Sequence, residues 1–324
     1  MEMRWIWPLV LLATAHMGCV PRVPPRTQAA SAHRNPGDVI LEIPSLGPCV
    51  DQADRRLFLD PNRPVTVLVH GCNGSAGRFQ ALAEVFAFHG QQAIGFTYND
   101  RDSLATSAGQ LARALETLAA AMHCQDFTVI GHSQGGLIAR KALVMDGPPL
   151  MRAGGLRIRL VTISAPFAGI FAARHCGSPV ARAVSLGMVV PICWIVTGDK
   201  WRDITYLSPF ITAPGTLLPQ VESHLKIETD ERGTCRRTSA DGQCAESDLV
   251  FSLDEQRQAA VDSARGERTL TVKAGHVEIA GDFNVVPVKL IGILQQEGLL
   301  NTTEATRREA LGLLLARLYG GPSD

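Results

Sequence analysis

Apolar residues along this chain fall into two alternating regimes. Short, largely β-branched runs at residues 39–43, 65–69, 93–98, 127–131, 158–164, 224–229 and 269–274 read as strands. Between them, apolar residues recur three and four apart, which predicts helices over 77–89, 104–122, 134–145 and 253–264. In the second of these, Leu111, Leu115 and Leu118 share one face, a stripe that core packing accounts for without a ligand. Apolar strands separated by helices predict an α/β fold, a mostly parallel central sheet flanked by helices on both faces.

One stretch breaks the alternation. Residues 167–220 are long, apolar and rich in Pro and Gly, and include Val189-Val190-Pro191-Ile192-Cys193-Trp194-Ile195-Val196. An insertion of that length inside a compact domain is expected to be a lid or a binding element. The tail carries its own helix signal, with capping residues Asn301-Thr302-Thr303-Glu304 ahead of Ala310, Leu311, Leu313, Leu314 and Leu318, and Gly320-Gly321 as its stop. Asn301-Thr302-Thr303 also fits a glycosylation acceptor, which a bacterial export signal argues against using.

The other end has a different pattern. Arg4 followed by the apolar residues 5–15 reads as an export signal, too short to span a bilayer comfortably. It ends at His16-Met17-Gly18-Cys19, which resembles a bacterial lipoprotein processing site with Cys19 as the lipidated residue; signal cleavage and an uncleaved anchor are the alternatives. Residues 20–37 carry Pro21, Pro24, Pro25 and Pro36 among Ala, Ser and Arg, the composition of an extended tether. The expected layout is an export signal over 1–19, a tether over 20–37 and one domain over 38–324 with its lid-like insertion at 167–220. The expected location is the cell envelope, as a membrane-anchored lipoprotein or in the periplasm, or outside the cell.

Composition narrows the function. With 46% hydrophobic and 19% charged residues, the 324-residue chain can build a large core. Lys plus Arg and Asp plus Glu are balanced at 31 each, so there is no electrostatic footprint for nucleic acid, and a neutral or apolar substrate suits the balance better than a polyanion. The cysteines beyond Cys19 suggest disulfides in an exported protein. Cys235 with Cys244 is the first pairing, Cys176 with Cys193 and Cys49 with Cys124 the next, and Cys72 is left as a reduced thiol. No spacing resembles a metal site, and the chemistry below requires neither metal nor organic cofactor.

That chemistry centres on Phe127-Thr128-Val129-Ile130-Gly131-His132-Ser133-Gln134-Gly135-Gly136. A strand running through Gly-x-Ser-x-Gly straight into a helix is a nucleophile elbow, a strained turn that lifts the serine hydroxyl above the sheet edge. Val65-Thr66-Val67-Leu68-Val69 leads into His70-Gly71-Cys72-Asn73-Gly74, where the backbone N–H of Cys72, with that of Gln134, would form an oxyanion hole. The base should follow the nucleophile, and His276, just beyond the last strand, is favoured over His175 and His224. The acid is to be found among Asp199, Asp203, Asp230, Glu246 and Asp248. Asp248 is favoured because it lies between a strand and a helix, with Asp230, at a strand end, second.

Taken together, these segments resemble the bacterial triacylglycerol lipases and esterases of the α/β-hydrolase superfamily, and more distantly the related lipid deacylases. The resemblance also rests on Thr162-Ile163-Ser164-Ala165-Pro166-Phe167-Ala168-Gly169, Asp203-Ile204-Thr205-Tyr206-Leu207-Ser208-Pro209-Phe210, Ser247-Asp248-Leu249-Val250 and Gly275-His276. It implies the α/β-hydrolase fold, a triad of Ser133, Asp248 and His276, and oxyanion donors at Cys72 and Gln134. The chain departs from the family's pattern at Ala165-Pro166-Phe167-Ala168-Gly169, where Thr-Pro-His/Phe-Gly-Gly is common, and at Leu249, where a glycine is frequent. The expected activity is hydrolysis of lipid-like carboxylic esters through an acyl-enzyme. Acyl transfer or amide hydrolysis on the same triad, and a non-catalytic envelope binding protein on the same scaffold, are the alternatives.

Overall fold

A computed structural model of the protein describes residues 37–72, 74–146, 156–177, 179–185, 188–282 and 285–319. The expected export signal, Cys19, most of the tether, Asn73 and the Gly320-Gly321 stop lie outside these residues. The alternating pattern resolves into a seven-stranded sheet. In chain order its strands are β1 (Leu46–Gly47), β2 (Val65–Val69), β3 (Gln92–Phe96), β4 (Asp126–His132), β5 (Arg157–Ile163), β6 (Val221–Asp230) and β7 (Glu267–Lys273). Across the sheet they run β7-β6-β5-β4-β2-β3-β1, and every neighbouring pair is parallel except β1 against β3. The run at 39–43 departs from expectation. Val39–Leu41 pairs with Leu57–Leu59 in a separate ribbon, with Pro44 following and Ile40 turned to solvent.

Two cores cover the two faces. Val65, Val67, Val69, Phe127, Val129, Ile158 and Leu160 point into one, with Leu111, Leu115 and Leu118 of α2 (Leu104–Ala121) and Ile138 of α3 (Gln134–Ala142). Leu68, Ile130, Val161 and Ile163 point into the other, beneath Leu82 and Phe86 of α1 (Gln80–Phe88) and Leu290 and Leu294. Successive strand residues thus feed opposite faces, and the strands read as continuous apolar runs for that reason. The 253–264 region forms two short helices, Leu253–Gln256 and Ala259–Asp262, broken where Arg257 turns extended and pairs with Glu228.

The inserted segment is folded. It contains the short helices Val189–Thr197, Trp201–Ile204 and Pro209–Thr212, and its Cys176–Cys193 disulfide packs against Trp201. Its anchors are specific. The Asp203 carboxylate accepts the Leu104 N–H at 2.6 Å, Arg101 donates to the carbonyls of Trp194 and Ile195, and Arg140 donates to those of Pro214 and Gly215. Val180, Val184, Met188, Trp194, Ile195 and Leu207 are exposed, an apolar outer surface.

Cys235–Cys244 forms as expected and staples a hairpin of Cys235–Thr238 and Cys244–Ser247. The two disulfides among the described residues fit an exported protein. Cys49 and Cys124, expected as a pair, are both free. Cys49 packs beside Gly95 near the carboxyl ends of the strands, where burial pushes its thiol up to about 12, whereas Cys124 precedes the amino end of β4. Cys72, expected to be reduced, is disulfide-bonded.

Candidate active site

Ser133 separates β4 from α3 with φ 57° and ψ −127°, a left-handed conformation that costs a serine energy and persists only when its surroundings enforce it. They do so here. Its N–H donates to the Ile163 carbonyl at 2.8 Å, and its carbonyl accepts the Gly136 N–H at 2.9 Å. A Cβ at position 135 would run into the carbonyl oxygens of Val69 and His70, so only glycine lets α3 approach β2 this closely.

The turn after β2 is fixed by aromatic packing. His70 stacks on Tyr98 with centroids 4.3 Å apart, and the Tyr98 hydroxyl donates to the His70 carbonyl at 2.8 Å. Burial pulls the His70 pKa down to about 4, so the ring is neutral and its Nδ1–H is the donor to the Gly71 carbonyl, 2.9 Å away. The Gln134 side-chain amide reaches Tyr98 Oη at 3.4 Å, tying the start of α3 to the same turn. The two segments expected to supply oxyanion donors are thereby held together. From the inserted segment, Lys200 Nζ comes within 3.0 Å of Cys72 Sγ and 3.7 Å of an Asp100 carboxylate oxygen.

His276 opens the short helix α4 (His276–Ala280), one turn beyond β7. Its buried Nδ1 lies 2.9 Å from Glu231 Oε1 and 2.9 Å from Ser164 Oγ. Glu231 follows β6 directly and is almost fully buried. Its Oε1 also accepts from Ser164 Oγ at 2.7 Å and Thr229 Oγ1 at 2.8 Å, and its Oε2 accepts the N–H groups of Val250 and Phe251 at 2.6 and 2.8 Å. Burial alone would raise this carboxyl's pKa. The hydrogen bonds and charge of His276, with those of Ser164 and Phe251, outweigh it and hold the group below the usual carboxylate range.

Asp248, expected as the acid, is near His276 but does not touch its ring. Its carboxylate accepts the backbone N–H groups of Val277 and Glu278 at 3.0 Å each and pairs with Arg236, while its carbonyl accepts the His276 N–H at 3.0 Å. Gly275 permits this, since a Cβ there would overlap the Asp248 carboxylate. Asp230 is paired with Arg232, Asp203 caps α2 and Glu246 pairs with Arg236; Asp199 accepts from the Trp194 indole. Of the other histidines, His175 is exposed on the inserted segment and His224 is buried against Thr162 Oγ1 at 2.8 Å.

An open cleft, about 470 Å³ when the solvent at its mouth is included, is lined by Ser133, His276, His132, Gly71, Cys72 and Arg78, among others. It joins the elbow, the turn after β2 and α4 in one space. The His132 ring nitrogen Nε2 lies 3.0 Å from the His276 carbonyl, with burial first and the neighbouring His276 second in keeping its ring neutral. Glu231, the carboxylate at the His276 ring, was not among the candidates read from the sequence; it directly follows the last residue of β6, where the chain enters a turn.

A family model described as palmitoyl protein thioesterase matches residues 64–212, a span that includes Cys72, Ser133 and Gln134 and ends before Glu231 and His276. No curated protein matches the chain. Among solved structures, the propeptide form of Bacillus licheniformis lipase BlEst2 superposes with a TM-score of 0.50 at 17% identity, over 84% of this chain and 55% of that one. This chain therefore spans about half the length of that form. The mature form of the same lipase gives 0.48 at 17% identity, covering 82% of this chain and 99% of that one. Thermogutta terrifontis esterase 2, phosphoramylated by tabun, gives 0.45 at 15%, covering 83% and 97%. At such identities the likeness is one of fold.

Proposed function

We propose that this chain is a serine hydrolase of the α/β-hydrolase superfamily that cleaves carboxylic esters of lipid-like acids, with Ser133 as nucleophile, His276 as base and Glu231 as the acid. The observation that carries this reading is the strained Ser133 elbow opening into the same cavity as His276, whose Nδ1 is hydrogen-bonded to Glu231. With Nδ1–H committed to Glu231, the neutral imidazole keeps a lone pair on Nε2 to take the Ser133 proton. Attack on the acyl carbon then gives a tetrahedral oxyanion stabilised by the Cys72 and Gln134 N–H groups, the latter at a helix start. Collapse expels the leaving group with a proton from His276, and water hydrolyses the acyl-enzyme through the same base. The apolar outer face of the inserted segment supports a lipid-like acyl group.

A fluorophosphonate probe should label wild type at Ser133, and p-nitrophenyl esters of short and long acids should be turned over. Ser133→Ala should lose both; turnover surviving in that variant rejects the assignment. An unlabelled, inactive wild type would favour a binding protein on the same scaffold. A thioester is the second reading, favoured by the match to the palmitoyl protein thioesterase family, and S-acyl substrates compared with their oxygen esters separate the two. Adding alcohol acceptors tests acyl transfer, and anilide substrates test amide hydrolysis.

A further inference from the structure

Arg78 lies in the Ala76–Phe79 turn just after the oxyanion loop, and it lines the cavity that holds Ser133 and His276. Other buried or half-buried arginines have their guanidinium groups occupied. Arg55 donates to the carbonyls of Pro48 and Val50, Arg140 to those of Pro214 and Gly215, and Arg236 to Asp248 and Glu246. Arg78 donates only through its backbone, to the Ser75 carbonyl; among the described residues its side chain has no hydrogen-bond acceptor and no ion-pair partner. A half-buried guanidinium left without an acceptor forfeits hydrogen bonds that native structures rarely leave unmade. Burial lowers its pKa, Asp282 opposing and Arg236 reinforcing the effect, and the group stays cationic.

Its position in the cavity says which part of a substrate it would meet. Val277, Ala280 and Gly281 line the cavity with Arg78 and belong to, or directly follow, the helix that His276 opens. The leaving group takes its proton from His276, so it departs on that side. Resting on the serine-hydrolase reading above, we propose that Arg78 binds a carboxylate or phosphate carried by the leaving group, and that the preferred substrates are acyl esters or thioesters of anionic alcohols or thiols. A planar guanidinium engages either anion through two parallel hydrogen bonds, a geometry lysine lacks.

The test compares 4-carboxyphenyl butyrate and 4-phosphoryloxyphenyl butyrate with the neutral 4-carbamoylphenyl butyrate, in wild type, Arg78→Met and Arg78→Lys. The anionic-to-neutral ratio of kcat/KM should fall at least tenfold in Arg78→Met, mainly through KM, and recover in part in Arg78→Lys. The larger fall identifies whether carboxylate or phosphate is preferred. A ratio unchanged in Arg78→Met overturns the proposal, and so does a fall confined to p-nitrophenyl hydrogen glutarate, whose carboxylate is on the acyl side. Calorimetric binding of 4-carboxyphenyl butyrate to Ser133→Ala, with and without Arg78→Met, reads the anion site without turnover. Arg78-dependent binding in a wild type that hydrolyses none of these esters would reject the hydrolase reading and leave the anion site standing.

Discussion

Asp248 grips the turn that carries His276 from its backbone side, its carbonyl on the His276 N–H at 3.0 Å and its carboxylate on the N–H groups of Val277 and Glu278. Glu231 holds the same residue from the ring side, at Nδ1. The two carboxylates should therefore fail differently. Glu231→Gln should lower kcat by about 10³- to 10⁴-fold with little change in KM, as expected when the imidazole loses its charged partner. Asp248→Ala leaves the Val277 and Glu278 N–H groups without their acceptor and Arg236 with Glu246 alone, and should cost about 3–5 kcal/mol of stability, with a smaller loss of kcat. Steady-state kinetics and urea unfolding on both variants decide it. A collapse of kcat in Asp248→Asn with Glu231→Gln near wild type would reverse the roles.

Legibility from sequence followed locality. The elbow was readable because its signal is contiguous, an apolar strand, Gly131, Ser133 and Gly135, then a helix, and the structure shows each part in place. The parallel sheet was readable because strands buried on both faces have no polar alternation to confuse with helices. The acid was not readable by the same means. Chain order limits it to the stretch between nucleophile and base, and the choice among carboxylates there depends on which one the end of β6 turns inward. Asp248 attracted the assignment because it does lie beside His276; its carboxylate is taken up by the Val277 and Glu278 N–H groups and by Arg236, contacts that its place in the sequence does not reveal. The Cys49–Cys124 pairing failed likewise, since thiols at opposite ends of the sheet look no different in sequence from thiols at the same end.

Two buried histidines make stability fall in mild acid. Burial holds His70 at about 4 and His224 at about 3, against 6.5 when unfolded. Between pH 6.5 and about 4 the unfolded chain binds these protons and the folded chain does not. Stability is therefore complete above pH 6.5 and declines as pH falls through that window, each group adding a slope of up to about 1.4 kcal/mol per pH unit. Urea titrations from pH 7.5 to 4.5 measure it. His224→Gln should remove about one proton's share of the slope, and an unaltered slope would mean that His224 is already charged in the fold.

Lys226 is buried in β6 between Glu228, at 2.8 Å, and Asp262, with Arg257 completing the Glu228 pair at 2.9 Å. Removing only the lysine leaves a buried carboxylate with half its partners. Lys226→Ala should cost about 3–5 kcal/mol, whereas Lys226→Met, which fills the volume beside Phe167, should cost less. Denaturant midpoints for the two variants check the order, and equal losses would show that charge matters here and packing does not.

The Cys176–Cys193 disulfide closes a loop of 17 residues inside the inserted segment and packs on Trp201, next in the chain to Lys200, which touches Cys72. Cross-linking a loop of that size restricts the unfolded chain by about 3 kcal/mol in the chain-entropy account. In the folded protein it braces the inserted segment, which reaches a cavity-lining residue through the Lys200–Cys72 contact. The double variant Cys176→Ser/Cys193→Ser should therefore lose more than Tm. Its kcat/KM for a sixteen-carbon p-nitrophenyl ester should drop severalfold relative to a four-carbon one if the long chain, extending beyond the cavity, rests on the apolar surface of the inserted segment. Equal losses on both esters would mean that the disulfide supports overall stability without shaping acyl-chain binding.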